Sequence, residues 1–123
     1  MNSNSFELIG NANYIDLKAL EKGSFIAKVL LSIYLGKDRD GKGLYESVEV
    51  TLFGDVAQKF GDEVQKGNLI HVSGRIGINK YTNKEGKEIK AYQFIANSFA
   101  KVNFDKDKKE FVAVENDLPW DNK

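Results

Sequence analysis

The sequence predicts an all-β fold in which five strands form a partly open barrel with long hairpin loops. A single short helix is expected between the third and fourth strands. Apolar and polar residues alternate along most of the chain with the period of two that is typical of half-buried strands. Clusters of glycine, asparagine and aspartate separate these runs at short intervals, and a helical period of apolar residues occurs only once.

Three strands are predicted in the first half of the chain. The first runs from Phe6 to Ile9 and ends at Gly10-Asn11, with a short extended piece over residues 14–17. The second runs from Ser24 to about Leu35, and the third covers residues 44–53. Alternation directs one set of side chains into the core: Phe25, Ala27, Val29, Leu31, Ile33, Val48, Val50 and Leu52. It directs a second set outward: Lys28, Ser32, Tyr34, Tyr45, Ser47, Glu49, Thr51 and Phe53.

The second half begins with the predicted helix. Asp55 is the expected N-cap because Gln58 follows three residues later, and Gly67 is expected to end the helix. The fourth strand covers residues 68–81 and the fifth covers 88–104, joined by a polar hairpin. The apolar stripe of the helix consists of Val56, Ala57, Phe60 and Val64. In the fourth strand we expect Ile70, Val72, Ile76 and Ile78 to be buried, and His71, Ser73, Arg75, Asn79 and Tyr81 to face outward.

Three strands, one helix and two further strands is the element order of the OB-fold. A small antiparallel sheet packed on an amphipathic helix would give the same pattern, so periodicity alone leaves both architectures open. The barrel domain is predicted to cover residues 1–104. Residues 105–123 are predicted to form an acidic, disordered tail, because alternation stops there and no basic residue lies between Glu110 and Asp121.

Composition restricts the class of protein. The 123 residues include no cysteine, which excludes disulfides and thiolate metal sites. The net charge of zero combines 14 Lys/Arg against 12 Asp/Glu over residues 1–104 with 4 against 6 over residues 105–123. A mildly basic body with an acidic end is compatible with a polyanionic partner. No signal-peptide pattern or membrane-spanning apolar run occurs, so a cytoplasmic location without membrane contact is expected.

Two motifs resemble catalytic or metal-binding sites but lack essential residues. The segment from Gly36 to Gly43 nearly matches a phosphate-binding P-loop, yet Gly43 replaces the Ser or Thr that binds Mg²⁺. The same segment fails as a calcium loop, because Gly36 and Ser47 stand at the first and last ligand positions. The single histidine, His71, has no second histidine or cysteine to form a site with. We therefore expect a hairpin turn at residues 36–43 and a protein with no enzymatic activity, cofactor or metal.

Aromatic and basic residues share the predicted outer faces and the adjoining loops. Unpaired bases stack on aromatic rings with about 1–3 kcal/mol each, and phosphates need only loosely placed positive charge. A duplex would instead require a helix that enters a groove. The alternative is that the rings cover the barrel ends or pack in a subunit interface. The candidate stacking residues are Phe53, Tyr81, Tyr34, Tyr45 and Tyr92. The candidate phosphate-binding residues are Lys28, Lys37, Arg39, Arg75, Lys80, Lys84, Lys87 and Lys90.

The end of the chain combines acids with exposed apolar residues. Asp117 is followed by Leu118, Pro119 and Trp120, in a segment with no predicted secondary structure. Such a segment is typical of a docking peptide whose apolar anchors enter a pocket with a basic rim. The alternative is that Trp120 folds back onto the barrel.

Four short segments resemble the bacterial and bacteriophage single-stranded DNA-binding proteins. They are Leu8-Ile9-Gly10-Asn11, Val50-Thr51-Leu52-Phe53-Gly54, the run from Lys66-Gly67 to Val72-Ser73-Gly74-Arg75-Ile76, and Lys80-Tyr81-Thr82-Asn83 with Gly86. The resemblance implies an OB-fold and a homo-oligomer, with a tetramer favoured. It also implies sequence-independent binding and protection of single-stranded DNA during replication, recombination and repair. Within that family, Phe53 and Tyr81 correspond to stacking residues, and Asp117 to Trp120 correspond to a tip that recruits replication and recombination proteins.

The chain departs from the family pattern at two places. Ser47 occupies a position where many members have a stacking tryptophan, which leaves Tyr34 or Tyr45 to compensate. The tail is short, and Asp121-Asn122-Lys123 follow Trp120. A compact member of phage or mobile-element type would show these features, and its location would then be the host cytoplasm rather than a bacterial nucleoid. Two other functions remain open at this point: a protein-interaction hub in a replication or DNA-transfer complex, and an RNA-binding OB domain.

Overall fold

The structure is a computed structural model that describes residues 2–113. It contains six strands, one α-helix and a single 3-10 turn at Glu21–Gly23. In chain order the elements are β1 (Phe6–Ala19), β2 (Phe25–Lys37), β3 (Gly43–Phe53), α1 (Gly54–Glu63), β4 (Leu69–Thr82), β5 (Glu88–Asp105) and β6 (Glu110–Ala113). Within the described residues, no helix combines the length and apolar character needed to cross a membrane.

The first five strands close into a barrel, which confirms the predicted fold class. The sheet order is β3-β2-β1-β4-β5-β6, and a parallel pairing of β3 with β5 closes the barrel. That closure consists of three residue pairs, Val50–Leu52 against Phe94–Ala96. All other neighbouring strands are antiparallel.

Strand β1 pairs with two different strands, one along each half of its length. Its first part, Phe6 to Asn11, pairs with β4, and its second part, Asn11 to Ala19, pairs with β2. The prediction that the first strand ends at Gly10-Asn11 is therefore wrong. A register shift between Ala12 and Tyr14 bends the strand from one partner to the other without ending it.

Most of the fully buried core consists of alternating side chains that the sequence predicts to face inward, and Ala12, Ala96 and Val102 join them. Side chains of β2, β3 and β4 that are buried to 1% exposure or less include Val29, Leu31, Val50, Leu52, Ile70 and Val72. Each such side chain contributes about 1.5–3 kcal/mol of hydrophobic stabilisation. The helix closes one end through Phe60, whose ring is 5.1 Å from the ring of Phe99 in an edge-to-face contact.

The ends of the helix differ from the prediction, although its buried stripe is confirmed by Ala57, Phe60 and Val64. Asp55 is not the N-cap: β3 passes directly into α1 through Gly54 at φ +68°, and Phe53 occupies the cap position without a side-chain hydrogen bond. Gly67 does not end the helix either. Its backbone N–H donates to the carbonyl of Ala12 at 2.7 Å, in the turn that follows.

Two residues lie on the predicted faces but differ from the predicted burial, because of where the barrel closes and where it ends. Thr51 lies on the outer face but is only 1% exposed, because β3 is paired on both sides here, with Lys28 of β2 and with Ile95 of β5. Ile78 was predicted to be buried but is 58% exposed. It lies on the core-facing side of β4, at a point where the β4–β5 hairpin has extended beyond the barrel.

The segment from residue 105 begins as ordered structure. Strand β5 continues to Asp105, and β6 folds back against it as an antiparallel hairpin. Phe104 lies opposite Phe111, with ring centroids 5.2 Å apart. The first part of the predicted tail is thus a β-hairpin, whereas Asp117, Leu118, Pro119 and Trp120 lie outside the described residues. The division into a domain over 1–104 and a tail over 105–123 stays a prediction.

Candidate nucleic-acid interface

Strands β2 and β3 carry an outer face opposite the core, and its far end holds a pair of tyrosines. The strand register places Tyr34 directly opposite Tyr45. Their ring centroids are 5.4 Å apart at an interplanar angle of 55°, and the residues are 52% and 62% exposed. Gly43 helps keep these rings uncovered, since a Cβ there would lie 3.1 Å from the Tyr45 ring and 3.4 Å from the Tyr34 ring. The pair presents flat apolar surface to solvent.

Phe53 lies at the opposite end of the same outer face. It is the last residue of β3, faces Ile26 across the strand pair, and is 45% exposed. Gly54 at φ +68° turns the chain into α1 immediately afterwards, so the ring remains at the rim of the barrel. Tyr45 lies eight residues earlier, which corresponds to about 26 Å along the strand.

The closure between β3 and β5 extends this outer face onto β4. Thr51 pairs with Ile95, and Ile95 lies directly opposite Arg75. At about 4.8 Å per strand, Arg75 is about 10 Å from Thr51 across the sheet. Its side chain is exposed, so the barrel closure brings a guanidinium group near the end of the face that carries Phe53.

The β4–β5 hairpin extends from the barrel as an arm that is exposed on both faces. Tyr81 lies opposite Ile89 on the face that continues from Arg75. Tyr92 lies opposite Ile78 on the other face, with 74% exposure. The sequence predicts that Tyr92 is exposed because it faces away from the core, and this reason is wrong. Tyr92 lies on the core-facing side and is exposed because the arm extends beyond the barrel. The structure does not place Tyr81 and Tyr92 on one face.

The eight predicted phosphate-binding residues fall into three groups. Lys28 lies on the outer face of β2 opposite Thr51, and Arg75 lies on the outer face of β4. Lys80 and Lys90 lie opposite each other on the Tyr92 face of the arm. The hairpin ends hold Lys37, Arg39, Lys84 and Lys87. Within the part of the chain that the structure describes, none of the eight has a carboxylate within 4.0 Å. Their charges are available to a ligand, although their role stays a prediction.

The two long hairpins end in turns of the same construction. In the first turn, Asp38 Oδ1 accepts hydrogen bonds from the backbone N–H groups of Asp40 and Lys42 at 2.9 Å each. In the second, Asn83 Oδ1 accepts from the N–H groups of the equivalent residues at 2.9 and 3.0 Å. The prediction of a hairpin turn at residues 36–43 is confirmed, since the Asp38 carboxylate binds its own backbone.

This shared construction identifies a basic residue that the sequence analysis missed. Each turn has a glycine three residues after the anchoring side chain, and Gly41 and Gly86 both have φ +82°. Lys42 in the first turn therefore corresponds to Lys87 in the second, and Lys42 belongs with the candidate phosphate-binding residues. The recurring order of an Asp or Asn, a glycine and a lysine was the available signal.

The single histidine has a local partner. His71 Nε2 lies 2.8 Å from Glu7 Oε1, between neighbouring strands β4 and β1. This contact gives the imidazole a polar partner on the neighbouring strand. Among residues 2–113, no three His, Cys, Asp or Glu side chains group together in a way that would hold a metal ion.

Comparison with known proteins adds to this geometry. Residues 3–104 match the model of the single-strand binding protein family, which covers the whole barrel. The chain belongs to that family. The predicted resemblance is thereby confirmed.

Members of the single-strand binding protein family include relatives with clear sequence similarity. A single-stranded DNA-binding protein of Xanthomonas axonopodis pv. citri is 33% identical over 99 residues, which cover 76% of this chain and 54% of the relative. Single-stranded DNA-binding protein B of Bacillus subtilis is 31% identical over 84 residues, which cover 68% of this chain and 74% of the relative.

A solved structure shows the same architecture. A deletion mutant of the single-stranded DNA binding protein from Thermus aquaticus aligns with a TM-score of 0.66 and 25% identity. The alignment covers 82% of this chain and 51% of that chain. The matched region thus spans about half the length of the Thermus chain and of the Xanthomonas relative.

Proposed function

We propose that this protein binds single-stranded DNA without regard to sequence, and that it acts by binding rather than by catalysis. One observation carries the proposal: exposed aromatic rings and basic residues lie on one outer face, which runs from Tyr34 and Tyr45 to Phe53 and, through the β3–β5 pairing, to Arg75 and Tyr81. The relatives described above are named as DNA-binding proteins, which supports the same ligand for this chain.

The surface fits an unpaired strand better than a duplex. Every unpaired base offers an apolar face that an aromatic ring can stack on, so this mode of binding tolerates any sequence. A duplex hides those faces and is usually read by a helix in the major groove. Helix α1 carries three acidic residues and one lysine, and its apolar side chains pack on the barrel. Phosphates of a duplex would therefore be repelled by the helix.

A fluorescence titration tests the proposal. Oligo-dT of thirty or more bases should quench the tyrosine emission of the protein at sub-micromolar concentration, and an RNA of equal length should compete poorly. The logarithm of the affinity should fall with the logarithm of salt concentration, with a slope near −0.7 for each phosphate contacted. Equal or tighter binding of RNA would instead identify an RNA-binding domain.

The stacking role is tested by Phe53→Ala. We expect a loss of roughly 1–3 kcal/mol in binding free energy, since one base loses its ring partner. Phe111→Ala is the matched control, because Phe111 is also an aromatic on a strand, is 46% exposed, and lies in β6 at the far end of β5. Equal affinity of the two variants would refute the stacking role of Phe53.

We further propose that the protein functions as a homo-oligomer, with a tetramer favoured, in DNA replication, recombination and repair within the cytoplasm. An open strand edge supports self-association: among the described residues, β1 from Phe6 to Ile9 pairs with β4 on one side and with no strand on the other. Such an edge is a ready template for a second copy of the chain. Light scattering after size-exclusion chromatography should give four times the mass of one chain, and a monomeric mass would contradict the proposal.

The tail is proposed to recruit replication and recombination proteins through Asp117, Leu118, Pro119 and Trp120. Its acids and apolar anchors support this role. Replacement of Trp120 by alanine should reduce capture of such partners while leaving the oligo-dT affinity within twofold. Unchanged capture would contradict the assignment.

A further inference from the structure

A β-bulge in β1 directs one aromatic side chain onto the candidate DNA-binding face. Before the bulge, Ala12 lies opposite Leu31 and is completely buried. After it, Tyr14 lies opposite Leu30, so Asn13 is the extra residue. With unbroken alternation Tyr14 would point into the core like Ala12, because the two are separated by two positions. The bulge instead turns Tyr14 outward, where it is 60% exposed.

Tyr14 occupies the gap between the other aromatic rings of this face. Its neighbour Leu30 lies four residues from Ile26, which faces Phe53, and four residues from Tyr34. Each separation corresponds to about 13 Å along the strand. Tyr14 therefore lies midway along a stretch of about 26 Å that contains no other exposed ring on β2 or β3.

We propose that Tyr14, with Leu30 beside it, is a base-stacking site for the same single strand that contacts Phe53 and the Tyr34–Tyr45 pair. The inference rests on the proposed function and deepens it. Bulges redirect side chains and occur often beside functional sites, and this one produces an exposed aromatic ring on a continuous face. Ser47 of β3 supplies no aromatic ring in this central region. Tyr14 of β1 supplies the ring that is missing there.

The charges around Tyr14 indicate that it contacts bases rather than phosphates. Asp16 lies two residues along on the same face, and its carboxylate is 3.7 Å from the Lys18 ammonium group. Lys28 lies opposite Asp16, and Glu49 lies opposite Leu30. This part of the face carries as many acids as bases, so it does not attract the backbone. Removing the ring should weaken binding at every salt concentration and leave the salt slope unchanged.

A tryptophan reporter provides the direct test. Trp120 is the only tryptophan in the chain, so Trp120→Phe combined with Tyr14→Trp yields a protein with a single indole on this face. Oligo-dT should quench that indole by at least half at saturation, as stacking requires. Saturated binding, followed by tyrosine emission or anisotropy of labelled oligo-dT, with no change at the indole would overturn the inference while leaving the proposed function intact.

Substitutions of Tyr14 provide an independent test. Tyr14→Ala should bind oligo-dT about 5- to 150-fold more weakly, and Tyr14→Phe should bind within about threefold of the unmutated protein. Phe111→Ala is again the control for loss of an exposed ring. The inference would be overturned if Tyr14→Ala bound oligo-dT as tightly as the control. It would also be overturned if light scattering gave a changed mass for Tyr14→Ala while its affinity was unchanged, and the face would then be assigned to a second copy of the chain. Failure of the unmutated protein to bind would overturn both the inference and the function it rests on.

Discussion

Gly74 offers a test of the barrel geometry, because β4 and β5 approach closely at this residue. Ser73 pairs with Ser98 and Gly74 pairs with Ala96, so Asn97 forms a bulge in β5. A Cβ on Gly74 would collide with the carbonyl oxygen of Ile95 and lie 2.8 Å from the Cα of Ala96. Both obstacles are backbone atoms, which cannot rotate away. Gly74→Ala therefore requires the two strands to separate.

The expected loss of stability follows from that separation. Overpacking alone costs about 1–3 kcal/mol, and the strained hydrogen bonds on either side add about 1 kcal/mol. A total near 3 kcal/mol corresponds to a fall in Tm of about 12 °C for a domain of this size. Thermal unfolding followed by circular dichroism, together with urea unfolding, would measure both quantities.

A neighbouring glycine supplies the control. A Cβ on Gly77 would lie 2.9 Å from Ile95 Cδ1, the end of a side chain that can rotate. Gly77→Ala should therefore remain within about 1 kcal/mol of the unmutated protein. If Gly74→Ala unfolds at the same temperature as Gly77→Ala, the close approach of β4 and β5 described above is incorrect.

Two further predictions concern the two arms of the molecule, the β2–β3 hairpin and the β4–β5 hairpin. Because the rings of Tyr34 and Tyr45 are in contact, replacing each and both by alanine should reveal an interaction free energy of about 0.5–1.5 kcal/mol in urea unfolding. An interaction free energy of zero would contradict the contact. Asn83→Ala removes the acceptor of two backbone N–H groups, so amide exchange at Glu85 and Lys87 should accelerate about 5- to 10-fold by NMR while exchange in the core is unchanged. Unaltered exchange at both amides would contradict the proposed anchoring of the turn.

The sequence predicts the fold well because its main signal is local. A strand that is buried on one face must alternate, and the alternating residues from Ala27 to Leu31 and from Val50 to Leu52 form the core as expected. The single run with helical period is likewise the single α-helix of the described residues. Patterns of this kind depend only on neighbours in the chain.

The errors arise where distant residues determine the outcome. Thr51 is flanked by Ile95 of β5, which lies 44 residues away in the chain, and no local pattern indicates that pairing. The exposure of Ile78 depends on where the barrel ends, and alternation does not contain that information. The bulge at Asn13 inverts the alternation within one residue, which concealed Tyr14 as a candidate.

The two arms contribute nothing to the fully buried core. No residue from 32 to 49 or from 73 to 95 is buried, yet these stretches hold most of the candidate contact residues. Local opening of an arm tip therefore requires far less free energy than unfolding of the barrel. A longer loop or an exchanged lysine at an arm tip is therefore expected to leave the stability of the barrel nearly unchanged. Most of the candidate contact residues can thus change without altering a fully buried side chain, whereas Lys28, Phe53 and Tyr14 lie on the barrel itself.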